Sequence, residues 1–242
     1  MKVTDIVKNR IDKLQYGYVF TYADFNTEVN NIDALMKTLN RLARKGKIRK
    51  LARGRFYKPK VTRFGELKPD AYQVVKDLLE KDNKLIGYIT GYTAFNQLGI
   101  TTQVPNTIQI GINKPKKPLQ RGMYKIQFIK QENKITRENI PILRILDALQ
   151  NIKSIPGTSA EEALGKLNKI IKDLNNKEIQ ELIKCSLNYK PSTRALTGAV
   201  IENIFDSEKA RPLFKSLNPA TNRYELNISD KVLPNKQKWK IK

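Results

Sequence analysis

Residues 30–58 read NNIDALMKTLNRLARKGKIRKLARGRFYK. Leu35, Leu39 and Leu42 recur at helical spacing and make one apolar stripe, with Lys37, Arg41 and Arg44 lying off it. Asn30 or Asn31 can cap the start of that helix, and Gly46 closes its end. Residues 48–51 and 55–58 then read as two short strands joined at Ala52-Arg53-Gly54. Upstream, Ile6, Val7, Ile11 and Leu14 predict a first helix over 3–14, ended by a turn at Gly17. Val19 and Phe20 make a short extended step. Thr21-Tyr22-Ala23-Asp24 matches a capping box, in which the Thr21 hydroxyl and the Asp24 carboxylate satisfy orphan amides at the start of a short second helix. Helix, strand, helix, helix and a two-stranded wing, in that order, predict a winged helix-turn-helix over residues 1–60.

Charge says what such a module would meet. The 242 residues carry 46 Lys and Arg against 23 Asp and Glu, a formal net charge of +23. Between 41 and 63 there are 11 basic residues and no acidic one. A field of this sign attracts polyanions, with nucleic acid the first candidate and an acidic membrane surface or protein the others. In a winged helix the third helix enters the major groove and the wing grips phosphate. Asn30, Asn31, Asp33 and Lys37 are therefore the expected base-reading residues, since Asn pairs with adenine and Lys with guanine acceptors. Asn31 has an equal alternative as a helix cap. Thr21, Arg41, Arg44, Lys45, Arg53, Arg55 and Lys58 are the expected phosphate contacts. Winged helices also dock proteins, but a helix and wing this basic favour double-stranded DNA.

Residues 61–69 show no helical period and end in a proline, so they read as a linker to a second domain over 70–242. That domain begins as mixed α/β to about residue 130, with helices at 71–79 and 93–98 and strands at 85–89, 107–112 and 124–129. It turns helical after about residue 140, with one apolar face in each of four segments. The fold class is α+β. Lys114, Lys116, Lys117 and Arg121 form a second basic stretch and Lys231 to Lys242 a basic tail, each either solvated loop or a clamp on DNA or RNA.

The absence of histidine removes Ser-His-Asp and Cys-His hydrolases and His-ligated zinc. Cys185 is the lone cysteine and reads as a core or surface thiol. Residues 87–91 tempt a phosphate-loop reading, yet the Gly-Lys-Ser/Thr ending is missing. No metal or cofactor motif and no recognisable pair of acid–base carboxylates appears, so binding is expected rather than catalysis. No apolar run approaches the ~20 residues of a membrane span, and no secretory leader is seen, which makes the cytoplasm the expected location.

Residues 39–59, LNRLARKGKIRKLARGRFYKP, resemble the winged-helix end of AbiE-type (AbiEi-like) antitoxins, the repressor halves of type IV toxin-antitoxin pairs. Residues 91–105 and 189–199 resemble a subgroup of that family. The resemblance implies a transcriptional repressor of its own operon, binding an operator with inverted repeats, that counteracts a nucleotidyltransferase-like toxin in phage defence. Direct toxin binding is left open. It also points to Tyr189, Arg194 and Glu202, which with the second basic stretch would form an antitoxin or RNA surface; the alternative is that Arg194 and Glu202 brace a helix. A stand-alone winged-helix regulator with a ligand-sensing or dimerisation domain, and an RNA-binding protein, are the competing readings.

Overall fold

A computed structural model describes residues 2–26, 28–220 and 223–242. The fold is α+β, and the chain divides into two compact units: unit 1 comprises residues 1–77 with 120–124, and unit 2 comprises 78–119 with 125–242.

Unit 1 contains α1 (Val3–Lys13), β1 (Val19–Thr21), a 3-10 turn (Tyr22–Phe25), α2 (Ile32–Arg44), β2 (Arg49–Ala52) and β3 (Arg55–Tyr57). The three strands form an antiparallel sheet in the order β1-β3-β2. Val7, Ile11, Phe20, Phe25, Leu35, Leu39, Leu42, Ile48 and Phe56 make one core, in which Phe20 meets Phe25 edge-on and stacks on Phe56. This is the winged-helix order expected, with the second helix shortened to a single turn.

Thr21 is corrected by this geometry. Its hydroxyl accepts from the Ala23 amide at 3.2 Å and donates to Asp24 at 3.0 Å, so it is spent on the cap rather than left for phosphate. The Asn31 side chain likewise accepts from the Ala34 amide at 2.9 Å and caps α2.

The stretch expected as a linker is built otherwise. Lys60–Thr62 (β4) and Gly65–Leu67 (β5) pair as an antiparallel hairpin, and unit 1 continues into α3 (Ala71–Leu79) as far as Asp77. Residues 120–124 also group with unit 1, which sequence distance conceals.

Unit 2 starts with a small hairpin, β6 (Glu80–Lys81) and β7 (Lys84–Leu85), followed by β8 (Gly87–Thr90), α4 (Gly91–Gln97), β9 (Thr107–Ile112), β10 (Leu119–Arg121), whose last residues group with unit 1, and β11 (Tyr124–Lys130). β11 runs parallel to β9, and β9 antiparallel to β8. Helices follow: α5 (Ile140–Gln150), α6 (Ala160–Lys172), α7 (Asn176–Ser186), α8 (Pro191–Ile204) and α9 (Ser207–Lys215). Capping boxes at Ser159/Glu162 and Asn175/Glu178 start α6 and α7. α8 is buried nearly all round, which is why its sequence shows small residues and no polar face.

The basic tail is not a solvated loop. Ile228, Leu233, Trp239 and Ile241 are buried in the unit 2 core. The Trp239 indole lies over Gly198 of α8, where a Cβ would come within 2.1 Å of the ring. Its N–H donates to Glu202 at 2.7 Å, and Glu202 also accepts from Asn235 and pairs with Lys238.

Candidate nucleic-acid interface

α2 has two faces. Leu35, Leu39 and Leu42 are buried, while Asn30, Asn31, Asp33, Lys37, Arg41, Arg44 and Lys45 are exposed. Asp33 lies in the first turn, where a carboxylate complements the helix dipole. Arg41 donates to the Thr4 hydroxyl at 2.9 Å. Lys37, Arg44, Lys45 and, at the wing tip, exposed Arg53 make no ion pair or side-chain hydrogen bond among the described residues. These cations thus reach solvent from the helix and the wing with no partner among the described residues to neutralise them.

Other expected phosphate contacts are committed internally. Arg55 pairs with Asp77 at 2.8 Å. The Lys58 ammonium donates to the carbonyls of Asp12 and Leu14, at 2.7 and 3.1 Å, and closes the end of α1. Arg121, expected on an exposed basic stretch, is buried: it forks onto Asp77 at 2.5 and 2.8 Å and donates to the Val74 carbonyl. Burial pushes the Asp77 carboxyl up, but the Arg121 hydrogen bonds and charge, with the charge of Arg55, outweigh it and hold the group below the usual carboxylate range. Lys114, Lys116 and Lys117 are exposed as expected, with Lys116 over the Phe128 ring at 5.8 Å.

The three residues singled out near the C-terminus turn inward. The Tyr189 hydroxyl donates to Asp147 at 2.7 Å and accepts from Gln131 at 2.9 Å. Arg194 donates to the Ser216 carbonyl at 3.0 Å, and its Nε finds no partner in the described residues. Glu202 holds the Trp239 indole. They brace unit 2 rather than line one common surface.

Around Tyr189 lies a feature that sequence reasoning missed. Tyr88 and Thr90 of β8 donate to the same Asp147 oxygen, at 2.7 and 2.5 Å, and Gln131 donates to the Tyr88 hydroxyl at 2.9 Å. Tyr88, Gln131, Asp147 and Tyr189 line a cavity of about 370 Å³ together with Lys130, Glu132, Gln150, Asn188 and Lys190. Burial raises the Asp147 carboxyl above its ordinary value against the opposing hydrogen bonds from Thr90, Tyr88 and Tyr189. The Gly-Tyr-Ile-Thr-Gly stretch that tempted a phosphate-loop reading supplies Tyr88 and Thr90 to this network. Burial and Glu181 push the Cys185 thiol up to about 12, so it is held protonated. Among the described residues no group of three or more Cys, Asp or Glu is placed to hold a metal ion, and no helix is long and apolar enough to cross a membrane.

No curated protein matches the chain. Among solved structures it is similar to the RV2827C protein from Mycobacterium tuberculosis, with a TM-score of 0.53 and 14% identity over 91% of this chain and 83% of that one. At that identity the likeness bears on the fold alone. The family model described as "Family of unknown function (DUF6088)" matches residues 6–183. That match spans most of both units, and the chain therefore belongs to the DUF6088 family.

Proposed function

We propose that unit 1 binds duplex DNA through α2 and the β2–β3 wing, and that the protein regulates transcription. The observation that carries this is the set of cations without a partner among the described residues, Lys37, Arg44 and Lys45 along and at the end of a helix whose opposite face is locked into the core, and Arg53 at the tip of the wing. In a chain of net charge +23, unneutralised cations cost self-repulsion that a phosphate backbone relieves. Asn30 and Lys37 are the base-reading candidates, with Asn31 and Asp33 serving the helix start. Arg41, Arg44, Lys45 and Arg53 are the phosphate set; Thr21, Arg55 and Lys58 leave it because the fold employs them.

The resemblance to AbiE-type antitoxins extends the reading to repression of the protein's own operon and relief from a nucleotidyltransferase-like toxin. Co-expression of the full chain with a toxin gene adjacent to its own tests that part, and continued growth arrest would remove it.

Fluorescence anisotropy of the full chain on duplex DNA tests the core of the proposal. If about six phosphates are neutralised, affinity falls roughly a thousandfold between 50 and 200 mM salt. Salt-independent binding, or tighter binding to structured RNA than to any duplex, would overturn it.

A further inference from the structure

The hairpin in place of the expected linker exposes large apolar side chains: Phe64 is 84% and Val61 76% exposed. Phe64 sits in the turn between β4 and β5, and the turn is pinned. The Phe64 amide donates to the Thr62 hydroxyl at 3.2 Å, and that hydroxyl donates to the Gly65 carbonyl at 2.9 Å. Gly65 takes a φ of +110°, which a side chain would resist. The Arg63 guanidinium lies 4.6 Å from the Phe64 ring centroid, so the tip presents an aromatic ring and a cation together.

A lone two-stranded hairpin is marginal in water, and this one is strapped to the wing sheet. Arg49 of β2 binds Glu66 of β5 at 2.9 Å, and the Tyr57 hydroxyl of β3 donates to the same carboxylate at 3.1 Å. That strap neutralises the only acidic residue of the hairpin, leaving Lys60 and Arg63 without an acidic partner among the described residues. An apolar tip flanked by cations and continuous with a basic wing suits a polyanion that also offers stackable apolar faces. A second copy of this chain, equally basic, is disfavoured by like charge.

We infer that the β4–β5 hairpin is a second DNA-contacting arm, in which Arg63 enters the minor groove and Phe64 wedges against a base step. This rests on the duplex-binding reading above. Minor-groove proteins use this pairing of a cation that senses groove width with an apolar side chain that unstacks a step. The arm adds affinity at A·T-rich sites, whose narrow groove concentrates negative potential.

The test compares the full chain with Phe64→Ala on A·T-rich and G·C-rich duplexes of equal length, with netropsin to fill A·T minor grooves. Phe64→Ala should weaken A·T-rich binding about tenfold, the scale of one lost stacking contact. Netropsin should abolish the difference. In Phe64→Trp, the added indole should be quenched on duplex, whereas in the parent chain the sole tryptophan is the buried Trp239. Equal affinities of Phe64→Ala and parent, in a protein whose binding Arg53→Ala still weakens, would overturn the arm and leave the winged-helix reading standing. Absence of any duplex binding by the parent would overturn both. A Phe64→Trp emission shift on phosphatidylglycerol vesicles, with none on DNA, would replace the arm by a membrane contact.

Discussion

In unit 1, Lys37, Arg44, Lys45 and Arg53 meet solvent without a partner among the described residues, whereas in unit 2 the Asp147 carboxylate is enclosed by Tyr88, Thr90 and Tyr189 and the Glu202 carboxylate by Trp239, Asn235 and Lys238. The two regions spend polar groups differently. Unpartnered surface charge adds nothing to folding and is available to a partner, while a satisfied buried network consumes its donors and specifies one arrangement of helices. Arg55, Lys58 and Arg121 show that the same contrast operates within unit 1, where a basic residue held in an ion pair or closing a helix end is not available to an interface.

The largest effect expected from this contrast lies in the tail. Trp239→Ala removes a large buried ring from over Gly198 and leaves Glu202 short of a donor, so it should cost about 3–5 kcal/mol in urea unfolding. Trp239→Phe keeps most of the packing and should cost about 1–2 kcal/mol, the price of the unmet hydrogen bond. If Trp239→Ala were to leave the midpoint in place, the tail would behave as the solvated basic segment its composition suggests.

A smaller but sharper test sets neighbouring arginines against each other. Arg53→Ala should reduce the slope of log affinity against log salt by about 0.9, the share of one phosphate contact, and leave unfolding within about 0.5 kcal/mol of the parent. Arg55→Ala should do the reverse, lowering stability by about 1 kcal/mol through its partly exposed pair with Asp77 while the salt slope stays unchanged. If the two behaved alike, in either assay, free and committed cations would not be distinguishable by their partners.

Much of the winged helix was legible because it is local. The Leu35, Leu39, Leu42 stripe, the Thr21/Asp24 box and the Gly46 stop each depend on residues a few positions apart, and residues 107–112 and 71–79 form the strand and helix their patterns predict. The hairpin at 60–67 was hidden because its strands are three residues each, too short for alternation to show, and lie between two prolines. The burial of Arg121 is invisible in the sequence because a run of charges reveals sign but not partner, and Asp77 is 44 residues away. Asp147 follows the apolar Leu146 and reads as the polar side of α5; its partners Tyr88, Thr90 and Tyr189 lie 42 to 59 residues away, where no local pattern shows them. The burial of Trp239 does not show in the sequence because lysines at 236, 238, 240 and 242 give the tail the composition of a solvated segment.

The smallest effect is a difference in pH slope between two aspartates. The carboxyl of Asp147 is raised in the folded protein, so folding binds its proton more tightly than the unfolded chain does. Its contribution is full below the unfolded value of about 3.9 and is lost as pH rises through the folded one. Asp77, held low by Arg121 and Arg55, contributes above the unfolded value and loses that contribution as pH falls through its folded one. The stability of the parent relative to Asp147→Asn should therefore decline as pH rises above about 4, and relative to Asp77→Asn it should decline as pH falls below about 4. Trp239 fluorescence reports unit 2 for the first comparison, and far-UV circular dichroism follows both. A flat difference for Asp147 would mean that three hydroxyls solvate its ionised form as well as water does. The carboxylate would then stand charged at the cavity lining, held by Tyr88, Thr90 and Tyr189, where the cations of unit 1 are held by solvent.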